Sequence, residues 1–247
     1  MSPKLTIFLI SIFFSQAVLA EKKVFLVGVE DVDYYPLFSF DSKGPIRPSF
    51  AHDVLKAFFD HHNLPFKFVP LPIKRFDKWY LEHNIDFKFP DNFRWRNDFS
   101  NKLGITFSEP LLKLMAGTYV LKSNAGLNRR DITSISTVRG FFPTLWLKEV
   151  TDKKVHLIEE SKPLAVVRHV IDGNSLATNI DLNVINNYLR AIGKEGEIIL
   201  ADGIYHQEYH YHFSSIQYPE IIKKFNQFLV NQKVLVDKIK RKYHLKE

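Results

Sequence analysis

Residues 155–193, VHLIEESKPLAVVRHVIDGNSLATNIDLNVINNYLRAIG, hold two strand–helix units end to end. VHLIEE (155–160) reads as a strand. Ser161 and Pro163 then open a helix: the hydroxyl suits a helix start, and proline is tolerated in a first turn whose N–H groups lack partners anyway. Leu164, Val167, Val170 and Ile171 fall on one face of that helix and Gly173 lies beyond its end. SLATNI (175–180) reads as the next strand, with Asp181 as N-cap of a helix whose stripe is Val184, Ile185, Tyr188, Leu189 and Ile192 and whose stop is Gly193. Strands alternating with helices in this way build a mostly parallel sheet covered by helices.

Upstream the plan is the same. KVFLVGV (23–29) is a β-branched strand, and residues 49–62 place Val54, Leu55, Phe58 and Phe59 on one helical face. PFKFV (65–69) leads to a helix expected over 73–83 from the spacing of Ile73, Phe76 and Tyr80, and then to strand IDFKF (85–89). GITFSEP (104–110) is a short strand ending in a turn, and LMAGTYVL (114–121), a strand with no helix before it, is a candidate crossing between two lobes. The polar KSNAGLNRRD marks the start of a second unit. Downstream, EIILA and a return strand YHYHFS precede terminal helices over 219–231 and 233–243. The expected fold class is α/β with two lobes, each a mixed, mostly parallel sheet flanked by helices. Lobe I takes residues 21–120 with 205–247 returning to it, and lobe II takes 121–204. Two such sheets bind ligands at the carboxyl ends of their strands, so facing lobes make a cleft.

The first twenty residues differ from the rest: Lys4 precedes the apolar run LTIFLISIFF and then SQAVLA. That is the layout of a secretory signal cut after Ala20, its apolar run shorter than the roughly 18 residues of a spanning helix. Export to a bacterial periplasm is expected. The chain has no cysteine, which excludes a lipid-modified cysteine anchor, disulfides and thiolate metal sites. Of the formal charge of +7 over 247 residues, much lies in the tail KVLVDKIKRKYHLKE. Elsewhere bases alternate with acids, which favours solvated helix faces over nucleic-acid binding.

The order of these segments resembles periplasmic solute-binding proteins of the polar amino acid type, with a type II periplasmic-binding fold, the receptors of ATP-driven importers. The carriers are KVFLVGV followed by DYYPLFSFD and Gly44, then LPIKRFDKWYLEHNIDFKFPDN, ITFSEPLL, STVRGFFPTLW and EESKPLAVVRHVIDGNSLATNIDLNV, and they span nearly all of the chain after the signal. The resemblance implies a monomeric protein without a cofactor. It also implies a small-molecule ligand and, as partner, an inner-membrane permease or a sensor receptor. One departure concerns chemistry. Where these receptors carry a turn whose arginine clamps a carboxylate, this chain reads FPDNFRWRNDFS, so Arg94 and Arg96 both stand as candidates.

On this reading the lobe I cleft edge comprises Tyr34, Tyr35, Phe38, Phe89, Asp91, Asn92 and Trp95, with Phe38 and Phe89 equally readable as core in a chain of 22 Phe. Asp91, Asn92 and Trp95 follow a strand end, where binding groups concentrate. Arg75 either points to the cleft or, in the preferred reading, pairs with Asp77 or Glu82 on the surface. Arg139, Gly140 and Phe141 end a strand and are expected to open a helix near Pro143, a setting that attracts anions. Asn179 and Asp181 are candidates to meet a ligand amino group, Asp181 also as N-cap. His210 and His212 share a strand face with Glu208 nearby, but a half-exposed return strand accounts for them better than a metal. The leading function is capture of a small polar or anionic solute, of the amino acid or organic acid kind, for transport. The alternatives are a periplasmic dehydratase or lyase using Asp91, Glu109 or Asp181, and a sensory or accessory binding protein without transport.

Overall fold

The computed structural model describes residues 22–95 and 102–246; the expected signal segment and Arg96 lie outside these. In chain order the first part holds β1 (Phe25–Glu30), a hairpin of β2 (Asp33–Tyr34) and β3 (Phe38–Ser39), α1 (Phe50–His61), β4 (Phe66–Leu71), α2 (Trp79–Glu82), β5 (Phe87–Asp91), β6 (Thr106–Phe107) and β7 (Leu112–Ala116). The second holds β8 (Tyr119–Leu121), β9 (Ser134–Val138), α3 (Leu147–Thr151), β10 (His156–Glu160), α4 (Pro163–Ile171), β11 (Ala177–Thr178), α5 (Leu182–Ala191) and β12 (Ile198–Leu200). β13 (Gln207–Ser215) returns to the first sheet, and α6 (Pro219–Asn231) and α7 (Lys233–Lys242) close the chain.

Two sheets result. The first runs β4-β1-β5-β13-β6, with β7 also on β13, and the second runs β10-β9-β11-β8-β12. In each, the strands that alternate with helices pair in parallel: β1 with β4 and β5, and β9 with β10 and β11. The strands that arrive without a helix, β13 and β8, pair antiparallel. The stretch 114–121 does cross between sheets, because it breaks at Gly117-Thr118 into β7 and β8. A Cβ on Gly117 would come within 2.4 Å of Leu200 Cδ1, so a side chain here would have to displace that methyl of β12.

The phenylalanines explain the first lobe. Phe59 stacks on Phe66 at 4.4 Å between centroids, Phe87 stacks on Phe213 at 4.8 Å, and Phe58 meets Phe225 edge-on at 5.0 Å. Such pairs stabilise by about 0.5–1.5 kcal/mol beyond area burial. The same apolar cluster continues into the second lobe through Val138, Val166, Ile180, Val184 and Ile185, while a separate cluster around Trp146, Ile135 and Val155 fills that lobe's other side.

Three local expectations change. Residues 73–83 do not form one α-helix: Ile73–Lys78 is 3₁₀, with Arg75 off helical geometry at φ −109°, and only Trp79–Glu82 is α. The Phe76 carbonyl there accepts from the Trp79 N–H and from the buried Lys88 ammonium at 3.0 Å, and the Trp79 indole donates to the Pro72 carbonyl at 3.0 Å. These bonds hold the tighter winding that propensity alone does not favour. The helix expected near Pro143 does open there, with Pro143 as N-cap, but Arg139, Gly140 and Phe141 form the turn before it and not its first turn. Arg139 N–H bonds the Glu160 carbonyl at 2.8 Å, extending the β9–β10 pairing, and helical structure begins at Thr144–Trp146 and continues in α3. The buried face of α4 uses Val166 in place of Leu164.

Candidate functional site

Between the lobes lies a cavity of about 620 Å³. Its lobe I wall begins with Glu30, the last residue of β1, and Asn92, the residue after β5, so both come from carboxyl ends of parallel strands. Ile73, Lys74, Phe76 and Asp77 of the 3₁₀ segment, Arg94 and Trp95 extend this wall, and Gln207, Tyr209 and Tyr211 reach it from one face of β13. Lobe II answers with Gly140, Phe141, Phe142, Pro143, Thr144, Leu145, Leu147, Val150 and Leu157, joined by Glu159 of β10 and by Asn179, which follows β11. Here too the carboxyl ends of the parallel strands face the cavity.

The lobes touch around this space. The Asp181 N–H donates to the Tyr34 hydroxyl at 2.7 Å, and the Tyr34 ring meets Phe141 edge-on at 5.0 Å. Gly140, at φ +92°, lies so close that a Cβ would sit 3.1–3.2 Å from Lys74 and Ile73, including the Lys74 backbone nitrogen. Glu159 accepts from the Gly140 N–H at 3.0 Å and pairs with Lys74 at 3.3 Å; the hydrogen bond from Gly140 and the Lys74 ammonium hold its carboxyl below the usual range.

Glu30 is the most perturbed acid of the site. It is 4% exposed and its Oε2 has no hydrogen-bond partner. Burial pushes its pKa up to about 8, with Lys88 pulling the other way and Asp91 adding to the rise. Behind it, Asp91 accepts from Ser214 Oγ at 2.5 Å and from the Asn92 N–H at 2.7 Å. Asn92 Nδ2 donates to the His210 carbonyl at 2.6 Å, fixing the turn that carries Arg94. Arg94 donates to the Glu208 carbonyl at 3.4 Å. Asn179 Oδ1 is buried without a partner.

Of the residues singled out from sequence, Tyr34, Asn92, Arg94, Trp95, Gly140, Phe141 and Asn179 line the cavity. The others that the structure describes do not. Phe38 and Phe89 are fully buried in the lobe I core, Phe38 edge-on to Phe89 at 6.1 Å. Asp91 sits behind the wall, bonded to Ser214. Tyr35 faces a separate hollow of about 90 Å³, its ring under the Arg47 guanidinium at 3.8 Å. Arg139 is exposed outside the cavity, because the β9–β10 pairing turns it outward. Asp181 is buried as the N-cap of α5, its Oδ1 accepting from the Asn183 N–H at 2.8 Å; burial raises its pKa to about 6 against the opposing bonds from Asn183 and Val184. Arg75 pairs with Glu82 at 2.7 Å on the surface.

Glu30, Gln207, Tyr209 and Tyr211 escaped the sequence reading. For Glu30 there was a signal, an acid closing an otherwise apolar strand next to the candidate aromatic loop. For the β13 residues, the alternation that brings the histidines to one face brings the tyrosines to the other. His212 uses its Nδ1 on the Ser108 carbonyl at 2.7 Å, and among the described residues no three metal-binding side chains gather.

The sequence matches no protein-family model and no curated protein. The fold, in contrast, is shared with solved structures. It is similar to the arginine-, lysine-, histidine-binding protein ArtJ from the thermophilic bacterium Geobacillus stearothermophilus, with a TM-score of 0.69 and 17% identity over 91% of this chain and 96% of that one. It is also similar to a mutant of ArgBP from T. maritima, with a TM-score of 0.68 and 16% identity over 90% and 95%. A third likeness is to the ancestral amino acid-binding protein AncCDT-1, a precursor of cyclohexadienyl dehydratase, with a TM-score of 0.66 and 18% identity over 89% and 95%. The chain therefore has the two-lobed type II periplasmic-binding fold.

Proposed function

We propose that this protein is a solute-binding protein that takes a small polar molecule into the cleft between its lobes. The carrying observation is the 620 Å³ cavity, lined by strand carboxyl ends from both sheets. Its walls are aromatic and aliphatic with a few polar side chains, the usual composition of a small-ligand site. Ligand contacts made by both lobes would favour the closed form, since a ligand shifts an equilibrium only by its differential affinity. The crossings at Gly117-Thr118 and between β12 and β13 are the natural hinge. The likeness to ArtJ and ArgBP supports an amino acid or a compound of similar size as the ligand, which an exported monomer would present to a membrane permease. The apolar amino-terminal run, cut after Ala20, would direct that export. Among the described residues no helix is long and apolar enough to cross a membrane.

A second reading, an enzyme on this scaffold, is favoured by the likeness to a dehydratase precursor and by the perturbed carboxyl of Glu30 in the cavity. Asp91, Glu109 and Asp181 are not placed for that role, since none lines the cavity. One experiment separates the two readings. Residues 21–247 are screened by thermal shift against amino acids, small organic acids, amines and short peptides, and each compound that shifts the melt is recovered. Saturation at a hundredfold excess over Kd stabilises by about 2.7 kcal/mol. Recovery of the compound unchanged is the expected result, and recovery as a product assigns catalysis. A cooperative melt that no compound shifts would falsify solute binding.

A further inference from the structure

The polar groups facing the cavity are unevenly satisfied. Its cations are engaged: Lys74 with Glu159 at 3.3 Å, and Arg94 with the Glu208 carbonyl at 3.4 Å. Two acceptor oxygens, one on each lobe, are not: Glu30 Oε2 and Asn179 Oδ1 are buried without a hydrogen-bond partner. Burying a polar atom without a partner costs roughly 1–3 kcal/mol, so a native structure rarely keeps two at one site. The Tyr34 hydroxyl marks how close the two sides come, because it takes the N–H of Asp181, two residues beyond Asn179, and lies within electrostatic reach of Glu30. Around these acceptors the walls mix the phenols Tyr209 and Tyr211 with apolar side chains, Ile73, Phe76 and Trp95 on one side and Phe142, Leu147 and Leu157 on the other.

Accepting the solute-binding reading on which this rests, we propose that Glu30 is the specificity-determining residue of the cleft and selects solutes whose ammonium or amine group donates to it, with an apolar body lying between the two walls. This reverses the preference for an anion expected from the arginines. Because burial keeps Glu30 largely protonated at neutral pH, an arriving ammonium draws it into the carboxylate form and the acid proton passes to solvent. The groups around Glu30 are Lys88 and Asp91 on β5, Tyr34 on the hairpin and Tyr211 on β13; Asp181 of the other lobe reaches the same two tyrosines, and Leu71 opposite Glu30 on β4 is apolar. Asp181 also titrates near neutrality, so the signature of Glu30 is a difference between wild type and Glu30→Gln.

Matched probes test this. 2-Phenylethylamine is compared with 3-phenylpropionate, n-hexylamine with heptanoate, and L-phenylalanine carries both groups. Calorimetry is run from pH 6 to 8 in buffers of different ionisation enthalpy. Expected are binding of amine-bearing probes in preference to their acid counterparts and release of close to one proton at pH 7. The amine affinity should rise roughly tenfold from pH 6 to pH 7, as follows from an acid near 8. In Glu30→Gln the release and the pH slope attributable to this acid vanish, and the preference for amines falls at least tenfold. Stronger binding of the acid members, or the same proton release in Glu30→Gln, overturns the assignment while leaving solute binding intact. If no probe and no compound of the wider thermal-shift panel binds, the assignment falls together with the solute-binding reading. Should Glu30→Gln not fold, the preference and proton release of the wild-type protein decide alone.

Discussion

The two walls of the cleft are made differently. The lobe I wall carries charged and phenolic groups, namely Glu30, Asp77, Lys74, Arg94, Tyr209 and Tyr211, and rests on a core of stacked phenylalanines. The lobe II wall is mostly an apolar turn, Phe141 to Leu145, with Phe142 64% and Leu147 41% exposed, and polar character enters only at Glu159, Asn179 and Thr144. A rigid polar wall facing an apolar one suits recognition in which lobe I reads the ligand's polar group and lobe II closes over its body. Lobe I can hold a buried acid because its strand ends are braced by Lys88, Asp91, Ser214 and Asn92, whereas the lobe II turn rests on apolar packing, Phe141 on the main cluster and Leu145 on the Trp146 cluster.

The sharpest break of this contrast would come from the cores. Phe59→Ala, in the cluster continuous through both lobes, should cost about 3–5 kcal/mol and lower a single cooperative melt. Trp146→Ala, in the separate lobe II cluster, should instead raise amide exchange in β9 and α3 well before global unfolding. Equal loss of protection in both lobes from Trp146→Ala would mean that the lobes are not differently built.

Next in size is the buried acid. Its folded pKa of about 8 lies above the ordinary carboxylate value, so the native protein keeps a proton that the unfolded chain has lost over the interval between them. Wild-type stability therefore falls as pH rises through that window, and Glu30→Gln should be spared this fall. The variant should match wild type near pH 4.5 and exceed it by a few kcal/mol at pH 8 in denaturant titrations. A constant difference across that range would place Glu30 in a solvated setting.

Gly140→Ala probes the seam itself. A side chain at φ +92°, pressed on the Lys74 backbone, should cost about 1–2 kcal/mol of stability. It should weaken ligand binding by more than that, because the clash exists only when the lobes meet. Smallest is Tyr34→Phe, which leaves the Asp181 N–H without its acceptor and should cost about 1 kcal/mol, read as a lowered Tm. If Tyr34→Phe weakens ligand binding more than Gly140→Ala, the hydroxyl and not the turn governs closure.

The alternation of strands and helices was legible because each element carries local marks. The stripe of α5 as far as Leu189, its cap Asp181 and its stop Gly193 all lie within one short segment, Ile192 alone of the expected stripe being exposed as the C-cap, and α6 and α7 were placed almost to the residue. The crossing at 114–121 was legible too, since a strand without a preceding helix has no parallel partner to join. The winding of residues 73–83 was not, because it is set by Lys88 and Trp79 side chains binding backbone carbonyls. About half of the candidate site residues reach the cavity, and those that do not, such as Phe38, Phe89 and Asp91, lie next to ones that do.

By itself the sequence determined the α/β class, most of the order of strands and helices, the point at which the chain leaves the first sheet, and some of the segments that border the cleft, because hydrophobic period, caps and breakers are local properties. Only the tertiary structure decided which side chain on each bordering segment faces the ligand space. That choice rests on strand register and on partners distant in sequence. Glu30 is perturbed by burial between strands and, more weakly, by Asp91 on the neighbouring strand, Arg139 is turned outward by its pairing with Glu160, and Tyr209 and Tyr211 enter the site from a strand that returns nearly 180 residues after β1.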